Sequence, residues 1–329
     1  METEQHAAGL ESGQLQVRPL RQDDARGVAM LVAGYFAEIG TVTAMSVEQT
    51  EQLFATPWLK DGTGLVLECG SEMAGHGFVR PTRWKGMDSI QLGLTLKQGY
   101  RDRETYHILT DQLLAAASEL ARKRGISNIS VNLRSTDTIH APIVLDLGFL
   151  EHPILMLGLR HELDGIPSRT LPQGLSFRPA RLPAESSTVL SLMDTAFDDR
   201  DRQGEPMSDT YLAFIAGKSG FDPEQVLLVE NSGDAVGCAI LDANAHGAGS
   251  NYSIMELGVL PGSRHRGIGS AMICRALGWV KARGAGAALT GMFSSNLAAT
   301  LFWRLGFRPD PQRTFRFFVR VAAAPQEDD

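Results

Sequence analysis

At 329 residues the chain exceeds the usual size of one domain, so two are expected. An apolar share of 43% supplies two cores, and a net charge of −7 argues against general nucleic-acid binding, which requires a basic surface. Cys69, Cys238 and Cys274 form no C-x-x-C pair, which excludes a disulfide framework or a zinc ribbon and fits a reducing cytoplasm.

In chain order, residues 1–14 are polar and acidic and are expected to be disordered. They carry no apolar signal-peptide core, and no later run approaches the roughly 18 apolar residues of a membrane span. A cytoplasmic protein without a membrane partner is expected. From VRPLR at 17–21 a pattern begins that returns after about 160 residues. VRPLR returns as FRPAR at 177–181, KRG at 123–125 as ARG at 282–284, and LDLGF at 145–149 as WRLGF at 303–307. Arg101 has its counterpart in Arg264. Two copies of one domain follow, at 15–163 and 175–321. Residues 164–174, rich in Pro, Gly and Ser, read as a linker, and 322–329 as a disordered tail.

The second copy reads as strand 175–180, helix 182–197 with Pro183 in its first turn, and helix 208–217 capped by Ser208. Strands 225–231 and 235–243 join through a tight turn, and strand 252–260 ends at Pro261-Gly262. Then come helix 268–283, strand 287–293, helix 296–305 stopped by Gly306, and strand 314–321. The fold class is α/β, a mixed and mostly antiparallel sheet with helices on both faces, built twice.

SRHRGIGSAM, 263–272, joins a strand to a helix. The first N–H groups of a helix have no internal partner and carry partial positive charge, so an anion fits there. Gly267 and Gly269 let it approach the chain, and Arg264 and Arg266 add forked donors. On the loop alone, a charged turn with no ligand competes evenly with this reading. A dinucleotide fingerprint is excluded because Met272 stands at its third glycine, and a P-loop because no Gly-Lys-Ser/Thr follows. The scattered histidines offer no metal site.

LGVLPGSRHRGIGSAM is similar to the acyl-CoA loop of the GNAT acetyltransferase superfamily, with Arg264, Gly267 and Gly269 filling its pattern. NLAATLFWRLGF resembles that family's later helix. The resemblance spans 175–321 and, in degenerate form, about 15–161. It implies a tandem GNAT protein that uses acetyl-CoA as co-substrate, with no metal. The pyrophosphate would meet the amides of Arg264, His265, Arg266, Gly267, Ile268, Gly269 and Ser270. Pantetheine would run along the strand near Leu257 and Val259, with Asn296 and Phe302 also at the coenzyme.

For chemistry, Glu256 is the carboxylate of strand 252–260 and the candidate base. A solvated strand carboxylate is the competing reading. Tyr252 or Ser253 could serve through a water chain. Phe302 stands where the family often carries its acidic tyrosine, so Tyr252 or Tyr211 would have to substitute. Gly258 is expected to permit a strand bulge. Asp198, Asp199 and Asp201 could hold a cationic amine, although a solvated acidic loop is the commoner meaning of such a cluster. In the first copy Glu104 and Tyr106 replace Gly267 and Gly269, and are expected to repel and crowd a phosphate.

The expectation is a cytoplasmic N-acetyltransferase that acetylates a small amine-bearing metabolite directly, as a monomer or homodimer, with the coenzyme in the C-terminal domain. The alternatives are a non-catalytic acyl-CoA-binding or regulatory protein and a protein acetyltransferase.

Overall fold

The computed structural model describes residues 15–40, 63–84, 87–197, 208–218, 220–243 and 251–322, with positions 47 and 50. Asp198, Asp199 and Asp201 lie outside the described residues. Packing groups Met1–Pro81, Ser89–Asn132 and Val319–Asp329 into one unit, and Thr82–Asp88 with Leu133–Phe318 into a second.

The first unit is built from β1 (Leu15–Pro19), α1 (Ala25–Glu38), β2 (Thr63–Cys69), β3 (Glu72–Trp84), β4 (Met87–Leu96), α2 (Arg103–Arg124) and β5 (Asn128–Arg134). Its strands lie in chain order, β1-β2-β3-β4-β5. β4 and β5 run parallel, the pairing that requires a crossover, and α2 provides it. Leu109, Leu113, Ala117 and Ala121, four residues apart, bury one face of that helix. Gly125 stops it in the left-handed conformation, φ 66°.

The second unit follows with α3 (Ala141–Asp146), β6 (Leu150–Glu151), β7 (Met156–His161), β8 (Leu175–Pro179), α4 (Ser186–Phe197), α5 (Asp209–Ala216), β9 (Val226–Asn231), β10 (Asp234–Ala243) and β11 (Tyr252–Val259). It closes with α6 (Ile268–Ala282), β12 (Ala288–Phe293), α7 (Ala299–Arg304), β13 (Arg308–Pro309) and β14 (Phe315–Val321), of which Phe315–Phe318 belongs to this unit. The strand order is β14-β7-β12-β11-β10-β9-β8. One sheet face packs on α4 and α5 through Val189, Leu192, Met193, Leu212 and Ile215. The other packs on α6 and α7 through Ile273, Leu277, Val280 and Phe302. α4 begins at Ser186, later than Pro183 suggests, whereas Ser208 caps α5 by accepting from the Tyr211 N–H at 3.2 Å.

The sequence repeat survives in a bidentate ion pair. Arg18 bonds both oxygens of Asp24, each at 2.7 Å, and Glu68 at 2.6 Å. Arg178 bonds both oxygens of Glu185, at 2.7 and 2.8 Å, and pairs with Glu230 at 2.7 Å. Packing, however, divides the chain differently from the repeat. β7, the last strand of the first repeat, lies inside the second unit, paired along the whole of β12 from Ala288↔His161 to Phe293↔Met156. Val319–Val321, the end of the second repeat, belongs to the first unit, where the Ala322 N–H donates to Ser127 O at 2.9 Å.

Candidate active site

Three features of β11 and the loop after it define the site. The first is a parting of strands. β11 pairs with β12 only at Tyr252↔Ala288 and Ser253↔Leu289, and the Thr290 hydroxyl then donates to Ile254 O at 3.0 Å. Beyond that point β12 keeps its ladder with β7, and β11 keeps its ladder with β10 as far as Gly237↔Val259.

The second feature is a bulge. Leu241 faces Ile254 but Ile240 faces Glu256, which leaves Met255 as the extra residue. The bulge therefore falls at Met255, not at the expected Gly258. Gly258 serves a close approach instead, because a Cβ there would lie 2.9 Å from the Ala196 Cβ of α4. The Leu260 N–H donates to Val236 O, on the β10 side. Backbone alternation then turns the N–H and C=O groups of Leu257 and Val259 to the edge that β12 has left.

The third feature is the loop. His265 has φ 61° and Gly267 φ 86°, so two left-handed residues flank Arg266, a backbone of the kind whose successive N–H groups can form an anion concavity. Gly267 is the N-cap of α6, with no side-chain cap and no acidic residue in the first turn. A Cβ at Gly267 would meet no neighbouring atom within 4 Å, so packing is not what requires glycine there. At Gly269 it would find Leu301 at 3.5 Å, an ordinary contact. Ile268 is buried and anchors the helix start, while His265 and Arg266 stay exposed and Ser270 is half-buried. These groups fit a diphosphate-bearing carrier.

Arg264 behaves differently from the sequence expectation. Its Nε donates to Val259 O at 3.0 Å and an Nη to Ala196 O at 2.7 Å, so the guanidinium holds backbone carbonyls. Phe302 is buried edge-on to Phe307, ring centroids 5.1 Å apart, and forms core. The Asn296 side chain accepts from the Ala298 N–H at 2.9 Å, ordering the entry to α7.

The two catalytic candidates lie on opposite faces of the sheet. Tyr252 packs edge-on against Trp279 of α6, with Ile254 and Leu257 on the same side. Glu256 shares the α4–α5 face with Gly258. Its charge there helps hold the Cys238 thiol up at about 12, burial being the larger cause. Burial first, then Glu256 and Asp242, push the Tyr211 phenol well above the ordinary tyrosine value. A phenol so shifted keeps its proton and is a poor acid for a thiolate, which argues against Tyr211 as the substitute donor.

Sequence reasoning missed Asp242. It is buried on β10, and both its oxygens bond the Lys218 Nζ just past α5, at 2.6 and 2.7 Å. Alternation puts it on the face of Cys238 and Ile240, a polar position in an apolar strand that could have drawn attention. A separate 610 Å³ cavity lined by Arg160, Gly165, Arg304 and Gln312 includes none of the predicted residues.

In the first unit the corresponding turn is closed from inside. Asp102 caps α2, accepting from the Thr105 N–H at 2.9 Å and from the Thr105 hydroxyl at 2.7 Å. Glu104 is exposed. Tyr106 is 2% exposed, so its ring is core rather than an obstruction over the loop.

A mixed sheet whose central parallel pair parts beside a helix start without a side-chain cap is the fold this chain shares with GNAT acetyltransferases. Residues 190–307 match the family described as "Acetyltransferase (GNAT) family" and form a domain of it, and the chain is an N-acetyltransferase. It is 27% identical over 249 residues to the mycothiol acetyltransferase of Thermobispora bispora, covering 74% of this chain and 79% of that one. With the mycothiol acetyltransferase of Streptomyces avermitilis it shares 24% over 245 residues, 74% of this chain and 75% of that one. Among solved structures, a GCN5-related N-acetyltransferase from Sphaerobacter thermophilus aligns with a TM-score of 0.72 at 18% identity, over 94% of this chain and 96% of that one. A tandem GNAT protein from the clavulanic acid biosynthesis pathway gives 0.67 at 16%, over 95% and 100%.

Proposed function

We propose that the second unit binds acetyl-CoA and transfers its acetyl group directly to a small amine-bearing metabolite. The observation that carries this reading is the pairing of the freed β11 edge with the concavity at His265–Gly267. In it, the Leu257 and Val259 amides lie along the acyl carrier and the N–H groups from 265 to 270 hold its phosphates. The carrier supplies an activated thioester. Glu256, on the α4–α5 face, takes the proton that the amine loses. The small-metabolite acceptor is supported by the relatives named mycothiol acetyltransferase. The two repeats, 15–163 and 175–321 about the linker 164–174, divide the work, and the first holds no coenzyme because Asp102 already occupies its helix start.

Calorimetric titration with acetyl-CoA, followed by thiol release with a panel of amino sugars and amino-acid derivatives, tests the reading. One-to-one binding and amine-dependent release are expected. Binding without release above background would favour a non-catalytic carrier-binding protein, and release with peptides alone would favour a protein acetyltransferase.

A further inference from the structure

Arg264 opens the loop, yet its described bonds go to two carbonyls from different elements, Val259 O at the end of β11 and Ala196 O in the last turn of α4. Last-turn carbonyls have no partner within their helix and sit at the negative end of its dipole, so a guanidinium there satisfies both demands. The first unit repeats the link to the preceding helix, through a carboxylate side chain in place of a main-chain carbonyl. The Arg101 Nε donates to Leu96 O at 2.9 Å, again the fifth residue back, and its other end pairs with Glu38, the last residue of α1. That unit caps its helix start with Asp102 and has no glycine between Arg101 and the helix. The arginine thus persists where the anion concavity does not. A residue kept to bind phosphate would have no task there, whereas one kept to hold the turn against the preceding helix would.

We propose that Arg264 is a positioning residue that couples the coenzyme loop to the C-terminal turn of α4. The inference rests on the coenzyme reading above and deepens it. A diphosphate that fixes the 265–270 backbone also fixes Arg264, and through its guanidinium the Ala196 carbonyl. Ala196 is already pressed on β11 at Gly258, so α4 receives the change as a small rigid element.

Amide hydrogen exchange on the full chain, with coenzyme A as the probe, tests the coupling. In the natural protein coenzyme A is expected to slow exchange both at 257–270 and at 190–197. Arg264→Met is expected to keep the first response and lose the second, and without ligand to speed exchange at 190–197 by about tenfold. Arg264→Lys, which keeps the charge but not the fork, is expected to give the same split and guards against loss of the fold in the first variant. Arg101→Met, the equivalent change in the other unit, is expected to leave the response to coenzyme A unaltered. Persistence of the 190–197 response in both Arg264 variants overturns the proposal. So does a response confined to 257–270 in the natural protein, or a loss of coenzyme affinity beyond about a hundredfold in Arg264→Lys, which would make the guanidinium a phosphate ligand. If coenzyme A does not bind the natural protein, the coenzyme reading fails, and the brace is judged by the ligand-free exchange alone.

Discussion

The turn at residues 100–106 and the turn at 263–270 begin alike and end differently. Each starts with an arginine whose Nε donates to the carbonyl five residues back. After Arg101, α2 begins at the second residue under an aspartate cap. After Arg264, α6 begins at the fourth, behind a left-handed glycine that offers no side chain. Every helix start presents orphan donors that something must satisfy. An internal carboxylate and an external anion are alternative answers; α2 carries the first, and the α6 start, with no side-chain cap, leaves room for the second. The arginine is common to both, so it belongs to the turn's architecture, and the cap is what distinguishes the two.

The sharpest way to break this contrast is Gly267→Glu. It forces a side chain onto φ 86° and sets a carboxylate where the phosphates are proposed to lie. Acetyl-CoA affinity is expected to fall by at least about tenfold in calorimetry. Unchanged affinity would remove the loop from the proposed site. A smaller effect is expected from Asp102→Ala, which uncaps α2 and costs about 1 kcal/mol in urea unfolding. It should leave acetyl-CoA titration as it was, and a second equivalent of bound coenzyme would show that the cap alone separates the two turns.

The mildest prediction concerns what the two units share. Bonding to Arg18 holds the Asp24 carboxyl below its ordinary value, and bonding to Arg178 and Arg181 does the same for Glu185. Carboxyls depressed by folding contribute stability that is present above their unfolded values, 3.8 and 4.5, and lost as pH falls through the lower folded ones. Urea midpoints followed from about pH 6 to about pH 3 should therefore fall, and fall less steeply in Arg178→Met. Equal slopes would deny these pairs their role in acid sensitivity.

Much of the second unit was legible because its periods are unambiguous. The apolar spacing of α6, the alternation of β9 to β11 and the stop at Gly306 all depend on neighbouring residues. The Asp102 cap was legible in principle, as an aspartate three residues before a threonine at a helix start, but the alignment of Glu104 and Tyr106 with Gly267 and Gly269 is the louder signal. The Arg264 bond to Ala196 was not legible, because it joins residues 68 apart and guanidinium next to glycine suggests phosphate equally well. Nor was the position of β7. Alternation says that 156–161 is a strand but not which sheet receives it, and repeat boundaries misdirect where strands are exchanged. Met255 as the bulge escaped for a related reason: nothing in its type distinguishes it from its neighbours, and only the register against β10 reveals the extra residue.

The exchange of β7 has a consequence for synthesis. The ribosome makes this strand well before its partner β12, so its pairing edge waits while about 130 further residues emerge, on the order of ten seconds at usual elongation rates. An unpaired edge held open that long invites wrong partners, a hazard that falls on the nascent chain and not on the finished molecule. The same dependence ties the two gene halves together. Excising the front half would remove β7, an interior strand, from the sheet that leads into the 263–270 loop, so the second repeat cannot keep that sheet without the first.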